Sequence, residues 1–464
     1  MPQVDVLTIG AGGGAYPGAF MLAAAGYKVV MVDEKGVMSG NCLYEGCIPS
    51  KAVREMALAL LRKKKFQDYG VLGDVKVDYK KVVAHKDWVQ ELRYKQHDEE
   101  LREAGENVSL VKGVAEIIDA RTIRVKTDNG DVIYNTKNLI IASGSDSALP
   151  PVEGKELCIT SSDIFRLHPK IQDVPDTLAV VGAGYIGLET AVMFNIFGSK
   201  VEVIEMMPTI LPGAVDPVLA DMLYKSLDPQ IKIHLNSPLK RIEKTEKGVR
   251  VHYATPEGVE KTIDADYVLC ATGRRPVVPK GIENIPGIKV TKKGIEADES
   301  MMTGVQGVYA TGDVNGQKML FHAAVRMSMT AARNIVAGNR PVDKVDVNAI
   351  PSVIYTIPEI ATVGITRTDA QKMGIPVQEV SFPLEKDAWA QIYGELEGEI
   401  RIFLDKRNQR VIGGWVIGID AGMVINMIGL AVARGLTARD LADFADAHPS
   451  IFESVQKAAR NAVF

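Results

Sequence analysis

The stretch that decides the fold is Val4-Asp5-Val6-Leu7-Thr8-Ile9-Gly10-Ala11-Gly12-Gly13-Gly14-Ala15. Its first half reads as a buried strand and its second half as a glycine-rich turn. An apolar, alanine-rich helical segment follows through Ala19, Ala23, Ala24 and Ala25 and stops at Gly26. A second strand pattern from Lys28 to Val32 then delivers Asp33. The same unit returns as Leu178-Ala179-Val180-Val181, the turn Gly182-Ala183-Gly184-Tyr185-Ile186-Gly187, a helix to about Phe197 and a strand from Lys200 to Ile204. Glu205 stands as far beyond Gly182 as Asp33 stands beyond Gly10. A lone G-x-G-x-x-G is a weak signal, because any tight turn can use glycine. Strand, turn, helix, second strand and acid repeated at equal spacing make a β-α-β unit that seats a pyrophosphate on a helix N-terminus and a ribose on the acid. Two such units predict two dinucleotides bound by one chain.

Composition bounds the rest. At roughly 150 residues per domain, a chain of 464 residues has room for about three domains. It is 46% hydrophobic and 24% charged, which excludes wholesale disorder. A formal charge of −4 leaves no basic surplus for nucleic acid. No apolar run nears the ~20 residues of a membrane helix. Met1-Pro2-Gln3-Val4-Asp5 lacks the positive region of a signal peptide, so the expectation is a cytoplasmic protein that binds neither nucleic acid nor membrane. Asp87 to Ala104 carries apolar residues at helical spacing (Trp88, Leu92, Leu101) and reads as a charged helix with a solvated face. From about Asp346 the alternation of Val353, Tyr355, Ile400, Ile402, Val411 and Trp415 predicts an antiparallel sheet, followed by helices over Met423–Arg434 and Pro449–Ala462. The fold class expected is therefore α/β, with two Rossmann-like dinucleotide-binding domains and a C-terminal α+β domain.

Only four cysteines occur, and two of them, Cys42 and Cys47, are five positions apart in Gly40-Asn41-Cys42-Leu43-Tyr44-Glu45-Gly46-Cys47-Ile48-Pro49-Ser50-Lys51. In a regular helix that spacing gives about 8–9 Å between Cα atoms, whereas a disulfide needs roughly 4.4–6.8 Å. Bridging them demands a distorted turn, which Gly40 and Gly46 permit. Pro49 suits the first turn of a helix and puts Cys47 near its N-terminus, where the dipole favours thiolate. The pair reads as a redox-active couple, a structural thiol pair or half of a zinc site. Zinc would want two more ligands, and Cys158 and Cys270 stand alone without paired neighbours, so no metal is expected.

With its neighbours, this segment resembles the redox signature of the flavin-dependent pyridine-nucleotide disulfide oxidoreductases, and within that family it is most similar to the dihydrolipoamide dehydrogenases. Essentially the whole chain takes part. Further matching blocks are Ile141-Ala142-Ser143-Gly144-Ser145, Ala271-Thr272-Gly273-Arg274-Arg275-Pro276, Val308-Tyr309-Ala310-Thr311-Gly312-Asp313, Pro351–Glu359 and His448-Pro449-Ser450-Ile451-Phe452-Glu453. The resemblance implies a flavin domain in two parts (1–150 and 276–345), an NAD domain (151–275) and an interface domain (346–464) that makes a homodimer. It implies FAD on the first unit, through Gly10, Gly12, Gly14 and Ala15, with Asp33 and Glu34 at the adenosine end. Gly40, Asn41 and Lys51, then Ala115, Ser143 and Gly144, and later Gly312, Asp313 and Phe321, complete the implied flavin set, and Gly273 is implied as a cofactor contact without a choice between the two. NAD falls to Gly182, Gly184, Ile186, Gly187 and Glu205.

By the same resemblance Cys47 is the flavin-proximal, low-pKa thiolate and Cys42 the exposed interchange thiol. Lys51 and Glu189 form an ion pair beside the flavin, and His448 is an acid–base group oriented by Glu453 and serves the partner subunit's disulfide. The terminal helix, with Val455, Ala458, Ala459 and Ala462 on one face, suits burial against another surface. Of the seven histidines, His85, His97, His168, His234 and His252 lie in polar surroundings and are expected at the surface. Tyr44, Glu45, Asp446, Met327-Ser328 and Met423 depart from the family pattern. The activity implied is electron transfer from a dithiol such as dihydrolipoamide, through a Cys42–Cys47 disulfide and FAD, to NAD+. The alternatives are a reductase of another disulfide or of mercuric ion, and a nucleotide-binding redox sensor without turnover.

Overall fold

The computed structural model of the chain describes residues 1–66 and 68–464, apart from the side chain of Lys64. Two compact units emerge: Met1–Ala148, Thr160–Asp173 and Gly273–Val347 in the first, and Leu149–Ile159, Val174–Thr272 and Asn348–Phe464 in the second.

The first unit is built on strand β1 (Gln3–Ile9), helix α1 (Tyr16–Ala24) and strand β2 (Val29–Asp33). β1 lies between β2 and Gly130–Ile141, parallel to both, and Val308–Ala310 adds a further parallel strand on Gly130–Ile141. Val6, Leu7 and Met31 are fully buried, as strands covered on both faces require. A hairpin, Val114–Ile117 with Thr122–Thr127, extends the sheet antiparallel. After β2 come the one-turn helix α2 (Gly40–Tyr44), α3 (Cys47–Arg62) and the long α4 (Tyr79–Glu103), with α3 packed along α4.

Helix α4 corrects the sequence reading in two ways. It starts earlier, because the Asp78 side chain accepts from the Lys81 N–H as an N-cap. Its apolar Trp88 and Leu92 are exposed, while Lys86, Gln90 and His97 are buried beside Val82 and Val83. His97 and, on the strand Val249–Ala254, His252 are thus buried rather than at the surface. Each has a carboxylate on Nδ1, Glu100 for His97 and Glu260 for His252, which offsets the cost of burying the ring polar.

In the second unit, Lys232–His234, Lys200–Ile204, Thr177–Val181 and Tyr267–Cys270 form a four-stranded parallel sheet in that order, with the helix Tyr185–Phe197 as crossover. The segment at Ile159 continues it, pairing in parallel with Leu269. A five-stranded antiparallel sheet follows, ordered Ser352–Ile354, Glu359–Gly364, Val411–Gly418, Glu399–Asp405 and Val377–Pro383. The terminal helix is Glu453–Val463 and does not reach back to Pro449. Its apolar face is not left for another surface: Val455, Ala458 and Ala459 are buried in the same core as Ile402 and Leu404 of this sheet. Among the described residues no helix is long and apolar enough to cross a membrane.

Cys158 and Cys270 do not stand alone. They are joined in a disulfide with 5.8 Å between Cα atoms, across a sequence separation of 112 residues. No sequence spacing signals this pair, because it is made by the parallel pairing of Ile159 with Leu269. A bridge closing so long a loop restrains the unfolded chain by up to about 5 kcal/mol. Cys158→Ser should therefore lower the stability of the oxidised protein by about 2–4 kcal/mol in urea unfolding, a difference that vanishes once both proteins are reduced. Equal stability of the two oxidised proteins would contradict the bridge.

Candidate functional site

The turn that carries Cys42 and Cys47 is made by three backbone features. Ser39 is left-handed (φ 69°) and Gly40 follows with φ 55°, which swings the chain into α2. Gly46 then folds the chain back so closely that a Cβ there would lie 2.9 Å from the Asn41 carbonyl oxygen. Its glycine is thus required by close approach rather than by a left-handed φ. Cys47 opens α3, which puts it at the positive end of the helix dipole. Neither cysteine is in a disulfide, and the Cys42 thiol is hydrogen-bonded to Cys47. That hydrogen bond, then burial, holds the Cys42 thiol far above its ordinary titration range, against the opposing pull of the Lys51 ammonium. Cys42 is half-buried, because α2 turns it inward onto its partner, and Cys47 is exposed.

The unusual residues between the cysteines have a structural use. The Lys35 ammonium donates to Asn41 Oδ1 at 2.9 Å, lies 3.9 Å from the centre of the Tyr44 ring and pairs with Glu45 at 3.9 Å. Asn41 in turn donates to the Ser145 carbonyl at 2.8 Å. Ser145 donates its hydroxyl to Asp313 and receives Arg274 twice, Nε on Oγ at 2.7 Å and Nη2 on the carbonyl at 2.8 Å. One serine thus ties together the redox segment and the blocks around Gly144, Arg274 and Asp313. Neither Ser145 nor Arg274 is expected as a site residue from the sequence, although both stand inside its motif blocks.

Around the first turn, strand ends converge on glycine. Gly10 has φ 107°, and a Cβ there would meet the Ala142 carbonyl oxygen at 2.3 Å. Gly14 lies against Thr311, whose hydroxyl donates to the Gly14 carbonyl at 2.6 Å. Gly12 bridges to Ser39 and leaves ordinary space beside Gly40. Ala15, in the third glycine's place, is fully buried just before α1. The Asp33 carboxylate accepts from the N–H of Ala11, Lys35 and Gly36, while Glu34 beside it is exposed.

Ala115 lies buried on Val114–Ile117, and Ser143 donates to the Val277 carbonyl with Gly144 (φ 74°) accepting from the Val277 N–H. Gly273, with φ 112°, accepts from the Ala148 N–H, and Gly312 donates to the sulfur of buried Met327. Phe321 opens its helix with the ring against Gly13. The cradle is bare backbone around a helix N-terminus, with a carboxylate at its far end, and it fits FAD.

The second turn separates the three glycine roles. Gly182 (φ 103°) is left-handed, and a Cβ there would meet the Ala271 carbonyl oxygen at 2.5 Å. Gly187 is pressed 2.0 Å from the Gly182 carbonyl oxygen by the same measure. A Cβ on Gly184 would meet nothing within 4 Å, so the chain's own packing does not require that glycine. Bare backbone there suits a pyrophosphate approaching from outside, and the site fits NAD. Ile186 accepts from the Thr190 hydroxyl within the helix that follows. Buried Glu205 accepts from the N–H of Ala183 at 2.8 Å and of Met207 at 2.9 Å, repeating the Ala11–Asp33 contact of the first turn.

The structure brings Cys42, Cys47 and Lys51 together on α2 and α3. Glu189, on the helix Tyr185–Phe197, accepts from the Tyr355 N–H at 2.9 Å. His448 and Glu453 meet at 2.9 Å, Nδ1 to Oε1, and the same oxygen accepts from the Ser450 N–H. Burial raises the Glu453 carboxyl, but the Ser450 N–H, His448 and Lys457 outweigh it and hold the group below its ordinary range. The other face of the imidazole is open, for His448 is 74% exposed.

A model of the pyridine nucleotide-disulphide oxidoreductases matches residues 4–328, and one of that family's dimerisation domain matches residues 350–459. The chain belongs to this family. Dihydrolipoyl dehydrogenases of Staphylococcus aureus and Geobacillus stearothermophilus are 33% and 35% identical to it, over 99% of this chain and 97% and 96% of theirs. Among solved structures, the copper(II) complex of the HOCl-induced flavoprotein disulfide reductase RclA from Escherichia coli has a TM-score of 0.86 at 25% identity, with 99% of this chain and 100% of that chain covered. LpdA from Mycobacterium tuberculosis shares the fold at a TM-score of 0.89 and 23% identity, over 100% of both chains. This chain is thus an enzyme of the dihydrolipoyl-dehydrogenase-like oxidoreductases, whose cofactors are FAD and NAD.

Since the hydrogen bond to Cys47 is the largest influence on the Cys42 thiol, Cys47→Ala should bring that thiol's titration down, while burial still holds it above its ordinary range. Alkylation of Cys42 at pH 8 in the reduced variant should then run at least tenfold faster than in the reduced wild type. An unchanged rate would show that Cys47 does not hold the proton on Cys42.

Proposed function

We propose that this oxidoreductase transfers two electrons from a dithiol of the dihydrolipoamide class to NAD+ through the Cys42–Cys47 pair. The observation that carries this reading is the Cys42 thiol hydrogen-bonded to a Cys47 at the head of a helix, in a chain with two dinucleotide turns. In the oxidised pair, one substrate thiolate attacks Cys42, the Cys42–Cys47 bond breaks and Cys47 leaves as thiolate, stabilised by the α3 dipole and Lys51. The second substrate thiolate attacks the first substrate sulfur in the mixed disulfide, and the bond to Cys42 breaks. The substrate ends as a disulfide and the protein with both cysteines reduced. His448, held through Nδ1 by Glu453, takes one substrate proton on Nε2, and the other passes to the released Cys42 sulfur, so that Cys42 ends as thiol and Cys47 as thiolate. Bound FAD supplies the relay from the cysteine pair to the nicotinamide.

Lys51 and Glu189 are assigned to the flavin's reactive face. The residues set out above around the first and second turns are assigned to FAD and NAD respectively. Residues 1–150 and 276–345 would form the flavin domain, 151–275 the NAD domain and 346–464 the interface domain of a cytoplasmic homodimer. A second reading, reduction of a different disulfide, is favoured by the Lys35–Tyr44–Glu45 cluster on the redox turn and by Asp446, whose buried Oδ2 has no hydrogen-bond partner.

The deciding experiment is steady-state turnover of the FAD-loaded protein with dihydrolipoamide and NAD+, beside NADH with glutathione disulfide, coenzyme A disulfide and mercuric ion. Dihydrolipoamide should give the highest kcat/KM. Turnover confined to another acceptor would replace the substrate, and none with any would leave the sensor reading. NADH should exceed NADPH at least tenfold, because the Glu205 carboxylate repels a 2′-phosphate, and Glu205→Arg should narrow or reverse that ratio.

His448 of each subunit is assigned to the other's cysteines. Mixing inactive Cys47→Ser and His448→Ala proteins under demonstrated subunit exchange should restore up to about a quarter of wild-type activity per subunit, one intact site per heterodimer. A mixture that stays inactive would place the site within one chain.

A further inference from the structure

Helix α4 buries a polar stripe where an amphipathic helix ordinarily buries apolar residues: Lys86 and Gln90 are 0% exposed and His97 is 2% exposed. Spacings of four and seven residues put the three on one face. Two of the three, Gln90 and His97, meet the ends of α2, and Lys86 backs Gln90. Gln90 Nε2 donates to the carbonyl oxygens of Leu43 at 2.9 Å and Tyr44 at 3.0 Å. These are the last carbonyls of α2, which a one-turn helix leaves without intrahelical donors. Lys86 fixes the amide the right way round: its ammonium donates to Gln90 Oε1 at 2.8 Å, and an ammonium can only donate. Lys86 is anchored in turn by Asp87 and by the carbonyls of Phe165 (3.2 Å) and Arg166 (2.7 Å).

At the other end of α2, His97 Nε2 lies 2.8 Å from the hydroxyl of Ser39, the left-handed residue that begins the turn. Glu100 takes His97 Nδ1 at 2.8 Å, so in the neutral ring Nε2 accepts the Ser39 hydroxyl hydrogen. The one-turn helix that carries Cys42 is therefore held at both ends from a single neighbouring helix.

We propose that Lys86, Gln90 and His97 are positioning residues for the thiol–disulfide step, with Gln90 setting the placement of Cys42 against Cys47. Replacing the Gln90 amide frees two buried carbonyls between the sulfurs, lets α2 relax and weakens the Cys42–Cys47 hydrogen bond. The effect should appear in the chemistry of the pair and not merely in stability. The proposal rests on the exchange reading of this site, so the test carries one readout that needs no substrate.

Gln90→Glu, which keeps the size and the Lys86 contact but cannot donate, and Gln90→Met, which removes the amide, would be prepared as FAD-loaded proteins. NADH oxidation by ferricyanide, which does not pass through the cysteines, checks that each variant is folded and loaded. Iodoacetamide alkylation of Cys42 in the reduced proteins should rise at least fivefold in both variants. Where dihydrolipoamide turns over, kcat should fall at least tenfold with KM within twofold of wild type. Loaded variants with wild-type alkylation rates overturn the proposal. Altered alkylation in a protein whose wild type turns over no dithiol supports the clamp and removes the substrate reading instead.

Discussion

Two sulfurs five residues apart meet only if the chain reverses between them, and that reversal is the constraint on which the first unit is organised. It needs Gly46, because any side chain there would strike the Asn41 carbonyl. It also leaves a helix of one turn, too short to satisfy its own backbone, between a left-handed Ser39 and the head of α3. Donors must come from elsewhere. Lys35 and the polar face of α4 supply them on two sides of the turn, and Asn41 ties it outward by donating to the Ser145 carbonyl. Burying Lys86 and Gln90 would cost several kcal/mol if either were unpaired. Each is fully engaged, which makes the burial tolerable and the turn rigid.

The two dinucleotide turns solve a different problem with the same residue type. In the second turn, two glycines are fixed by the fold itself, one by a left-handed φ and one by pressure from a carbonyl. The third is fixed by nothing inside the chain, which leaves bare backbone of the kind a pyrophosphate approaches. The acid of each unit accepts from an N–H inside its own glycine turn, Ala11 for Asp33 and Ala183 for Glu205. Each acid is therefore a brace for its own turn, and the proposed function makes it a ribose acceptor as well. A compensating cation for a 2′-phosphate is not supplied by Met206 or Met207.

Much of this was legible in the sequence. The strand–turn–helix–strand–acid order fixes both dinucleotide units, since glycine placement and the closing acid are local features. The pairing of His448 with Glu453 was legible from the motif alone. Three things were not. The helix at α4 was visible, but its buried face was misread, because periodicity marks apolar residues and α4 covers a carbonyl-rich turn that demands donors. Cys158 and Cys270 were read as solitary, because only the sheet brings them together. The terminal helix's apolar face was assigned to another surface, while its own antiparallel sheet takes Val455, Ala458 and Ala459. In each case the deciding partner is distant in sequence.

The central claim is that electrons enter at the Cys42–Cys47 turn and not at the second cysteine pair. Anaerobic titration of the FAD-loaded protein with dihydrolipoamide, followed by differential alkylation and mass mapping, tests it most directly. The account predicts that one equivalent of dithiol raises a long-wavelength absorbance and exposes label at Cys42 and Cys47 while Cys158–Cys270 stays oxidised. Label appearing first at Cys158 and Cys270, or bleaching of the flavin with Cys42 and Cys47 still unlabelled, would contradict it.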